Sequence, residues 1–283
     1  MFHAFNISAN TQRNGIPQKG DRDMARLNKV TLLAAFVSLM GTSAFANSTA
    51  LATTEKEVAI QKVFVPPSGY DDNDTIEMVL DGVIPNSCWR LARNEFSIDQ
   101  ANHWIFVKQY IYKLNSEACA DEASLSDAQK LPVPFTTELK VGMLKSGQYT
   151  IRYWQGASAF GDRIFYVEHA PVETVDSLPY ALVSSVNIAD QINESSSVVT
   201  TLQGSLTSTC MELDNQVTQH VFDDVRVILP TVHILPGICL YVLQPFETDV
   251  NLGAMTQGRY MLHIRSLNGE ALNRVFSVVK PTP

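Results

Sequence analysis

The chain carries two copies of one sequence pattern, and this internal repeat constrains the fold more than any other feature. Residues 134–149 and 245–260 share a Pro, a Phe, a Thr, two Gly and a final Tyr at the same spacing. Residues 82–91 and 204–213 both begin with Gly, carry a Cys at the same position and end on Leu. Because these anchors come in the same order, we predict an internal duplication. Its domains would lie at 56–170 and 183–283, joined by a linker at 171–182.

Each half is rich in β-strand signals. Short runs of β-branched and aromatic residues, such as Ile76 to Leu80 and Gln148 to Trp154, lie between Gly, Pro, Asn and Asp residues. Helical periodicity is not sustained after residue 46. The pattern predicts an all-β chain of two tandem immunoglobulin-like β-sandwich domains. Such sandwiches host many unrelated functions, so the fold class alone assigns none.

The four cysteines are placed symmetrically within the repeat. Three pairings of four cysteines are possible, and duplication favours the one in which each domain closes its own bond. We therefore predict disulfides Cys88–Cys119 and Cys210–Cys239, as expected for a protein in an oxidising compartment. Free buried thiols are the alternative, and zinc is disfavoured because the chain has no Cys-x-x-Cys motif.

The N-terminus has the pattern of a secretory signal peptide. Arg26 and Lys29 precede the apolar run Val30 to Gly41, and the small residues Ala44 and Ala46 follow at cleavage-site spacing. A membrane anchor is the alternative, but the run is shorter than the roughly 20 residues that span a bilayer. We predict cleavage after Ala46, with residues 1–46 removed. We predict Met24 as the true start, since it opens a signal sequence of ordinary length; an extended n-region that begins at Met1 is the alternative.

The charge of the chain limits its partners and its location. The 21 basic and 29 acidic residues give a net charge of −8, and removal of residues 1–46 leaves 16 basic against 27 acidic residues, or −11. Nucleic acid is not an expected partner, because it requires a basic face. After cleavage we expect no membrane insertion and a soluble protein in the periplasm or outside the cell.

Aromatic residues are distributed unequally between the two halves. Residues 57–170 contain fifteen Phe, Tyr and Trp, and residues 183–283 contain five. We align Ile105 and Val107 with Val225 and Val227 and place them in the core, so period-2 alternation turns the neighbouring side chains outward. An outward aromatic face that includes Lys and Arg is typical of a recognition surface, although it could instead pack on the second domain or beneath residues 121–130. The candidate ligand-binding residues are Trp104, Phe106, Lys108, Tyr110, Tyr112, Arg152 and Trp154.

Motifs that would identify an enzyme are missing from the sequence. There is no Gly-x-Ser-x-Gly elbow and no phosphate-binding or dinucleotide-binding Gly-rich loop, so we expect no cofactor. A cluster of acidic and amide residues could hold calcium, but it lacks the Gly and the final Glu of an EF-hand loop, and a solvated turn between strands is the favoured interpretation. The residues of this weak calcium candidate are Asp71, Asn73, Asp74 and Glu77.

These features favour an exported, non-enzymatic binding protein. Its first domain would recognise a peptide, a protein or a glycan through the aromatic sheet face. A structural or assembly role in the cell envelope is the alternative, followed by an enzyme or an enzyme inhibitor. Similar surfaces on both domains would favour the structural role.

The signal-peptide prediction is tested on the exported protein. Cleavage after Ala46 makes Asn47 the first residue, because the Ala44-x-Ala46 spacing positions the scissile bond there. N-terminal sequencing or intact-mass measurement of the exported protein checks this. Residues upstream of Asn47 on the exported chain would show that the site was wrongly placed.

Overall fold

The computed structural model describes residues 55–280, apart from the side chains of residues 195 and 196. The predicted signal peptide at 1–46 and the alternative start at Met24 lie outside the described residues. None of the helices within residues 55–280 is long and apolar enough to cross a membrane.

The first half, residues 55–170, consists of nine strands and two short helices. One sheet has the strand order β2-β4-β7. The other has the order β1-β6-β8-β9-β3, with β5 also paired to β6. The elements are β1 (Glu55–Val58), β2 (Ile60–Phe64), β3 (Tyr70–Asp71), β4 (Ile76–Ile84), β5 (Trp89–Asp99), β6 (Trp104–Lys113), α1 (Glu117–Ala120), α2 (Asp127–Lys130), β7 (Val133–Gly142), β8 (Gly147–Gly156) and β9 (Ala159–Glu168), with a 3-10 turn at Glu122–Ser124.

The second half, residues 182–280, repeats this arrangement. Its sheets have the orders β10-β12-β17 and β11-β19-β18-β15-β14, and β13 pairs with β16. The elements are β10 (Leu182–Asn187), β11 (Gln191–Asn193), β12 (Ser195–Leu206), β13 (Met211–Leu213), β14 (Thr218–Val221), β15 (Val225–Leu229), β16 (Val232–Ile234), β17 (Gln244–Met255), β18 (Gly258–Arg265) and β19 (Ala271–Val279), with a 3-10 turn at Leu267–Gly269.

Strand directions agree between the halves as well as strand order. The β6–β8 and β3–β9 pairs are parallel, and so are their counterparts β15–β18 and β11–β19. In each half the two sheets enclose one apolar core, around Met78, Ile151 and Phe165 in the first half and around Leu202, Leu262 and Phe276 in the second. The prediction of an all-β sandwich chain is confirmed. The matching topology is what a duplication would produce, and common descent of the two halves stays a prediction.

Close packing explains two of the repeated residues. Gly82 lies opposite Phe135 across β4 and β7, and Gly204 lies opposite Phe246 across β12 and β17. A Cβ atom on either glycine would come within 2.7 Å of the facing Phe ring. Both copies therefore need a residue without a side chain at this position, because the ring fills that space.

The predicted disulfides are confirmed. Cys88 is bonded to Cys119 and Cys210 to Cys239, and no cysteine within residues 55–280 is free. In the first half the bond lies in a small apolar cluster with Trp89, Leu125 and Phe135. Leu125 belongs to the extra segment between Cys119 and β7, so that segment closes over the disulfide end of the first sandwich.

The two halves pack against each other and belong to one compact unit. Strand β4 is buried along both faces: Met78 and Leu80 face the first core, whereas Val79 faces the second half. Val79 and Phe64 meet Val225, Val227 and Met261 in an apolar cluster shared by the halves. We call the outer surface of β15, β18 and β19, which makes this contact, the docking face.

Charged groups surround the shared apolar cluster. Asp74 is 1% exposed and accepts a hydrogen bond from Arg265 Nη2 at 2.6 Å. Asp81 accepts two hydrogen bonds from Arg259, at 2.6 and 2.7 Å. Each carboxylate comes from the first half and each guanidinium from the second, so separating the halves would strand buried charge.

Arg265 should be necessary for the two halves to stay packed. Replacing Arg265 with Met removes the cation beside Asp74, whose carboxylate then lacks its ionic partner in a buried site, and we expect a loss of about 3–5 kcal/mol of unfolding free energy. Denaturant unfolding measures it. The matched control is Arg274→Met, because Arg274 pairs with Asp190 at 2.6 Å on the exposed surface and such pairs contribute about 0–1 kcal/mol. Equal effects of the two substitutions would contradict the buried-pair argument.

His263 should make stability fall in mild acid. Burial lowers the pKa of His263 from 6.5 to about 4, even though Asn273 Oδ1 lies 2.7 Å from its Nδ1 atom and favours the protonated ring. Above pH 6.5 the ring is neutral in both the folded and the unfolded chain, so it does not make the unfolding free energy depend on pH. As the pH falls from about 6.5 towards 4, only the unfolded chain takes up the proton, so stability drops by up to about 3 kcal/mol.

Unfolding measured between pH 7.5 and pH 4 checks this slope. His263→Gln should flatten it, because the amide does not titrate in this range. The control His220→Gln alters an exposed ring and should leave the slope unchanged. A wild-type slope that survives His263→Gln would assign the effect to another group.

Candidate functional site

Strand β6 presents its aromatic side chains outward, as predicted. Ile105 and Val107 are buried in the first core. The alternating positions lie on the opposite surface, with Phe106 and Lys108 exposed. Those positions are Trp104, Phe106, Lys108, Tyr110 and Tyr112. On β8, Tyr149, Ile151 and Tyr153 point into the core, which leaves Arg152 and Trp154 outward beside them.

The neighbouring strand β9 extends this surface with three residues that the sequence reasoning missed. Phe160, Ile164 and Tyr166 lie opposite Trp154, Thr150 and Gln148 of β8, and so on the same side of the sheet. Phe160 is 62% exposed, Tyr166 48% and Phe106 40%. The period-2 rule could have found them, because Phe165 recurs as Phe276 in the second half. An aromatic residue shared by both halves is most simply a core residue, and alternation then turns residues 160, 164 and 166 outward. We call the outward surface of β6, β8 and β9 the aromatic face.

Arg152 organises the centre of the aromatic face. Its Nε and Nη2 atoms donate to the two carboxylate oxygens of Asp162, at 2.8 and 2.7 Å, and its guanidinium lies 4.3 Å from the centre of the Trp104 ring. The Trp104 ring in turn stacks on Phe106, with centroids 6.0 Å apart. The hydrogen bonds from Arg152 lower the pKa of Asp162. The Asp162 carboxylate therefore holds the planar Arg152 cation in one orientation over the Trp104 ring, whose neighbour is Phe106.

A second cation lies over the other end of the face. The Arg93 guanidinium is 4.4 Å from the centre of the Tyr110 ring, and Arg93 also pairs with Glu95 and Glu55. The hydrogen bond that Arg93 donates to the Glu95 carboxylate lowers the pKa of Glu95. Near Phe106 the surface forms a shallow hollow of about 210 Å³, lined by Glu95, Phe96, Ser97, Phe106 and Lys108.

The β9 border of the aromatic face meets the second half at a larger hollow. This hollow of about 510 Å³ is lined by Pro67, Asp162, Arg163, Ile164, Val221, Phe222 and Asp223. Arg163 Nη2 donates to Asp224 Oδ1 at 2.7 Å and so links the two halves at this hollow. Apolar side chains from both halves thus border one recess, although most of the face remains open.

The docking face of the second half is the counterpart of the aromatic face. Ile105 pairs with Ile151 of β8, and Arg226 pairs with Leu262, the equivalent residue of β18. Ile105 therefore corresponds to Arg226, and the alignment of Ile105 and Val107 with Val225 and Val227 is wrong by one residue.

A one-residue slip moves a side chain to the other side of a sheet. Val225 and Val227 are therefore the counterparts of Trp104 and Phe106, and they contact the first half. The same sheet surface is thus covered in the second half and open in the first. The prediction of an outward aromatic surface stands, and the second domain does not cover it.

The candidate calcium residues do not converge on one point. Asp74 forms an ion pair with Arg265. Glu77 instead has one carboxylate oxygen 2.7 Å from Lys140 Nζ, and its other oxygen accepts a hydrogen bond from Asn273 Nδ2 at 3.0 Å. Asn73 donates to the backbone oxygen of residue 174 at 2.9 Å, and burial raises the pKa of Asp71. Within residues 55–280, no three His, Cys, Asp or Glu side chains are grouped to hold a metal. The predicted turn is present at residues 71–74, but its solvated interpretation is wrong for Asp74 and Glu77, which are buried between the halves.

A groove between the halves has charged walls, and both of its arginines are already paired. It encloses about 430 Å³ and includes Glu138, Asp190, Arg259 and Arg274. Arg259 is held by Asp81 across the two halves, and Arg274 by Asp190 within the second half. The Arg259–Asp81 pair joins the halves at this groove. The exposed rings of the aromatic face offer a ligand more apolar surface than this charged groove does.

Comparison with known proteins adds a fold assignment for part of the second half. Residues 200–278 match the family model of the ORF11 beta-sandwich domain. The matched segment runs from within β12 to β19, which agrees with the sandwich seen there. No curated protein and no solved structure is similar enough to the chain to count as a match.

Proposed function

We propose that the chain is an exported, non-enzymatic binding protein whose first half recognises another protein through the aromatic face. The observation that carries this proposal is the open aromatic face itself, with Phe106, Phe160 and Tyr166 each at least 40% exposed on one sheet surface. Large apolar side chains rarely cluster on the surface of a soluble domain without a binding role.

The composition of the face favours a protein partner. Aromatic residues and Arg are enriched at the centre of protein interfaces and in their energetic hot spots. Here Arg152 is fixed over Trp104, and the aliphatic Ile164 lies beside exposed rings. Because Arg152 is already oriented by Asp162, little side-chain freedom remains to be lost on binding.

The second half supplies a second argument for a protein ligand. Its counterpart surface, the docking face, contacts a protein sheet, namely the outer side of β2 and β4. The same sheet surface thus already serves as a protein contact once in this chain. In the first half it carries aromatic residues in place of Val225 and Val227, which indicates a different partner.

Export is part of the same proposal. The signal-peptide pattern before Ala46, the two disulfides and the acidic composition all favour a location in the periplasm or outside the cell. In such a compartment the disulfides persist and hold the ends of both sandwiches.

The proposal is tested with exposed residues whose truncation leaves the core intact. Phe106→Ala and Phe160→Ala should each weaken capture of the partner by at least about 30-fold, the effect of losing a hot-spot side chain worth 2 kcal/mol or more. The partner is first isolated from envelope extract with the mature full-length chain, and binding is then measured by calorimetry. The melting temperature should change little, because both rings are exposed.

Val199→Ala is the matched control, since Val199 is 50% exposed on the sheet β10-β12-β17 of the second half. It should leave binding unchanged. If both Phe variants bound the partner as well as the wild type does, the aromatic face would not be the binding site. Binding to purified envelope glycan, and not to a protein, would keep the aromatic face as the binding site and make the ligand a glycan.

A further inference from the structure

The second half exposes a loop of apolar residues next to its disulfide. Ile238 and Tyr241 are each 96% exposed, and Leu240 and Leu243 are each 64% exposed. The loop runs from Ile234 at the end of β16 to Leu243 before β17, and we call residues 234–243 the apolar loop. It contains no charged residue.

The corresponding position in the first half is covered by the chain itself. Leu114 donates its backbone N–H to Cys88 O, and Leu235 donates in the same way to Cys210 O, so the two segments occupy equivalent places. In the first half the chain continues through α1 and α2, and Leu125 closes the cluster of Cys119, Trp89 and Phe135. The second half lacks that segment, and the side chains around Cys239 remain uncovered.

The apolar loop is held in position. The disulfide Cys210–Cys239 anchors its centre. Thr209 donates its backbone N–H to Leu240 O at 3.0 Å, and Leu240 N–H donates to Thr209 Oγ1 at the same distance. A loop fixed at three points loses little conformational freedom on binding, so its exposed side chains are ready to make contacts.

We propose that the apolar loop is the contact surface for a second copy of this chain, which takes the place of the missing cover. Seven of residues 234–243 are apolar or aromatic and 38–96% exposed. Together they expose on the order of 900 Å², above the largest patch of a typical monomer and comparable to the roughly 800 Å² per partner of a stable interface. Apolar, uncharged patches of this size are characteristic of homodimers.

Charge identifies this loop as the surface on which two copies repel each other least. The mature chain has 16 basic against 27 acidic residues, a net charge of −11, so most pairs of surfaces from two copies repel each other. The apolar loop is a neutral region where two copies meet without burying charge. At its border Glu212 and Asp214 are acidic and pair with His233, at 3.3 and 3.0 Å. An acidic border disfavours an anionic lipid surface, which attracts basic residues.

The test is the oligomeric state of the mature, oxidised chain in solution. Sedimentation velocity should show a dimer at low micromolar concentration. Ile238→Asp and Tyr241→Asp should each raise the dissociation constant by at least about 100-fold, because each places a charge in the centre of the apolar contact. Both side chains are almost fully exposed, so the circular dichroism spectrum and melting curve of the monomeric variants should match the wild type below the dissociation constant.

Met143→Asp is the matched control, since Met143 is 66% exposed in the first half, and it should leave the dimer intact. A wild-type chain that stays monomeric at roughly 100 µM, or a dimer that both Asp variants preserve, would overturn the proposal. Flotation of a monomeric wild-type chain with phosphatidylcholine vesicles would assign the loop to a lipid surface and would also overturn it.

Discussion

The contact between β4 and the docking face of the second half determines much of what the rest of the chain can do. Along β4 the side chains of Glu77, Val79 and Asp81 turn away from the first core and are buried against other elements. Buried carboxylates are tolerated only with charged or hydrogen-bonding partners, and here those partners come largely from the second half. The two sandwiches are therefore joined as one unit through complementary charges around a small apolar centre.

This contact also leaves the other surfaces free. Because the second half docks through one sheet surface and the first half through the other, each half keeps one sheet surface open. The open surface of the second half carries hydrogen-bonded polar pairs, such as Thr201 with Asp249 and Gln203 with Glu247. The open surface of the first half is the aromatic face. Two sandwiches with the same topology thus present different chemistry to solvent.

The two halves differ in the same way at their disulfide ends. The first half closes its end with α1, α2 and Leu125, whereas the second half leaves the apolar loop exposed. Covering the disulfide end requires an extra segment of chain. In the second half that segment is absent, and the uncovered apolar surface is available for assembly. The aromatic face and the apolar loop are separate, so ligand recognition and self-association can occur on the same molecule.

The sequence by itself determined the local and periodic features of this protein. Alternation assigned the strands and the two sides of β6, and the repeat selected the pairing of Cys88 with Cys119, because these features depend on near neighbours and on equivalent positions. It could not place Asp74 and Glu77, which resemble a solvated turn until Arg265 and Asn273 arrive from about 190 residues away. The alignment of β15 with β6 failed for a related reason, since one residue decides which side of a sheet faces the partner. Only the tertiary structure decided which sheet surface is buried between the halves, because that choice rests on the complementarity of two distant surfaces.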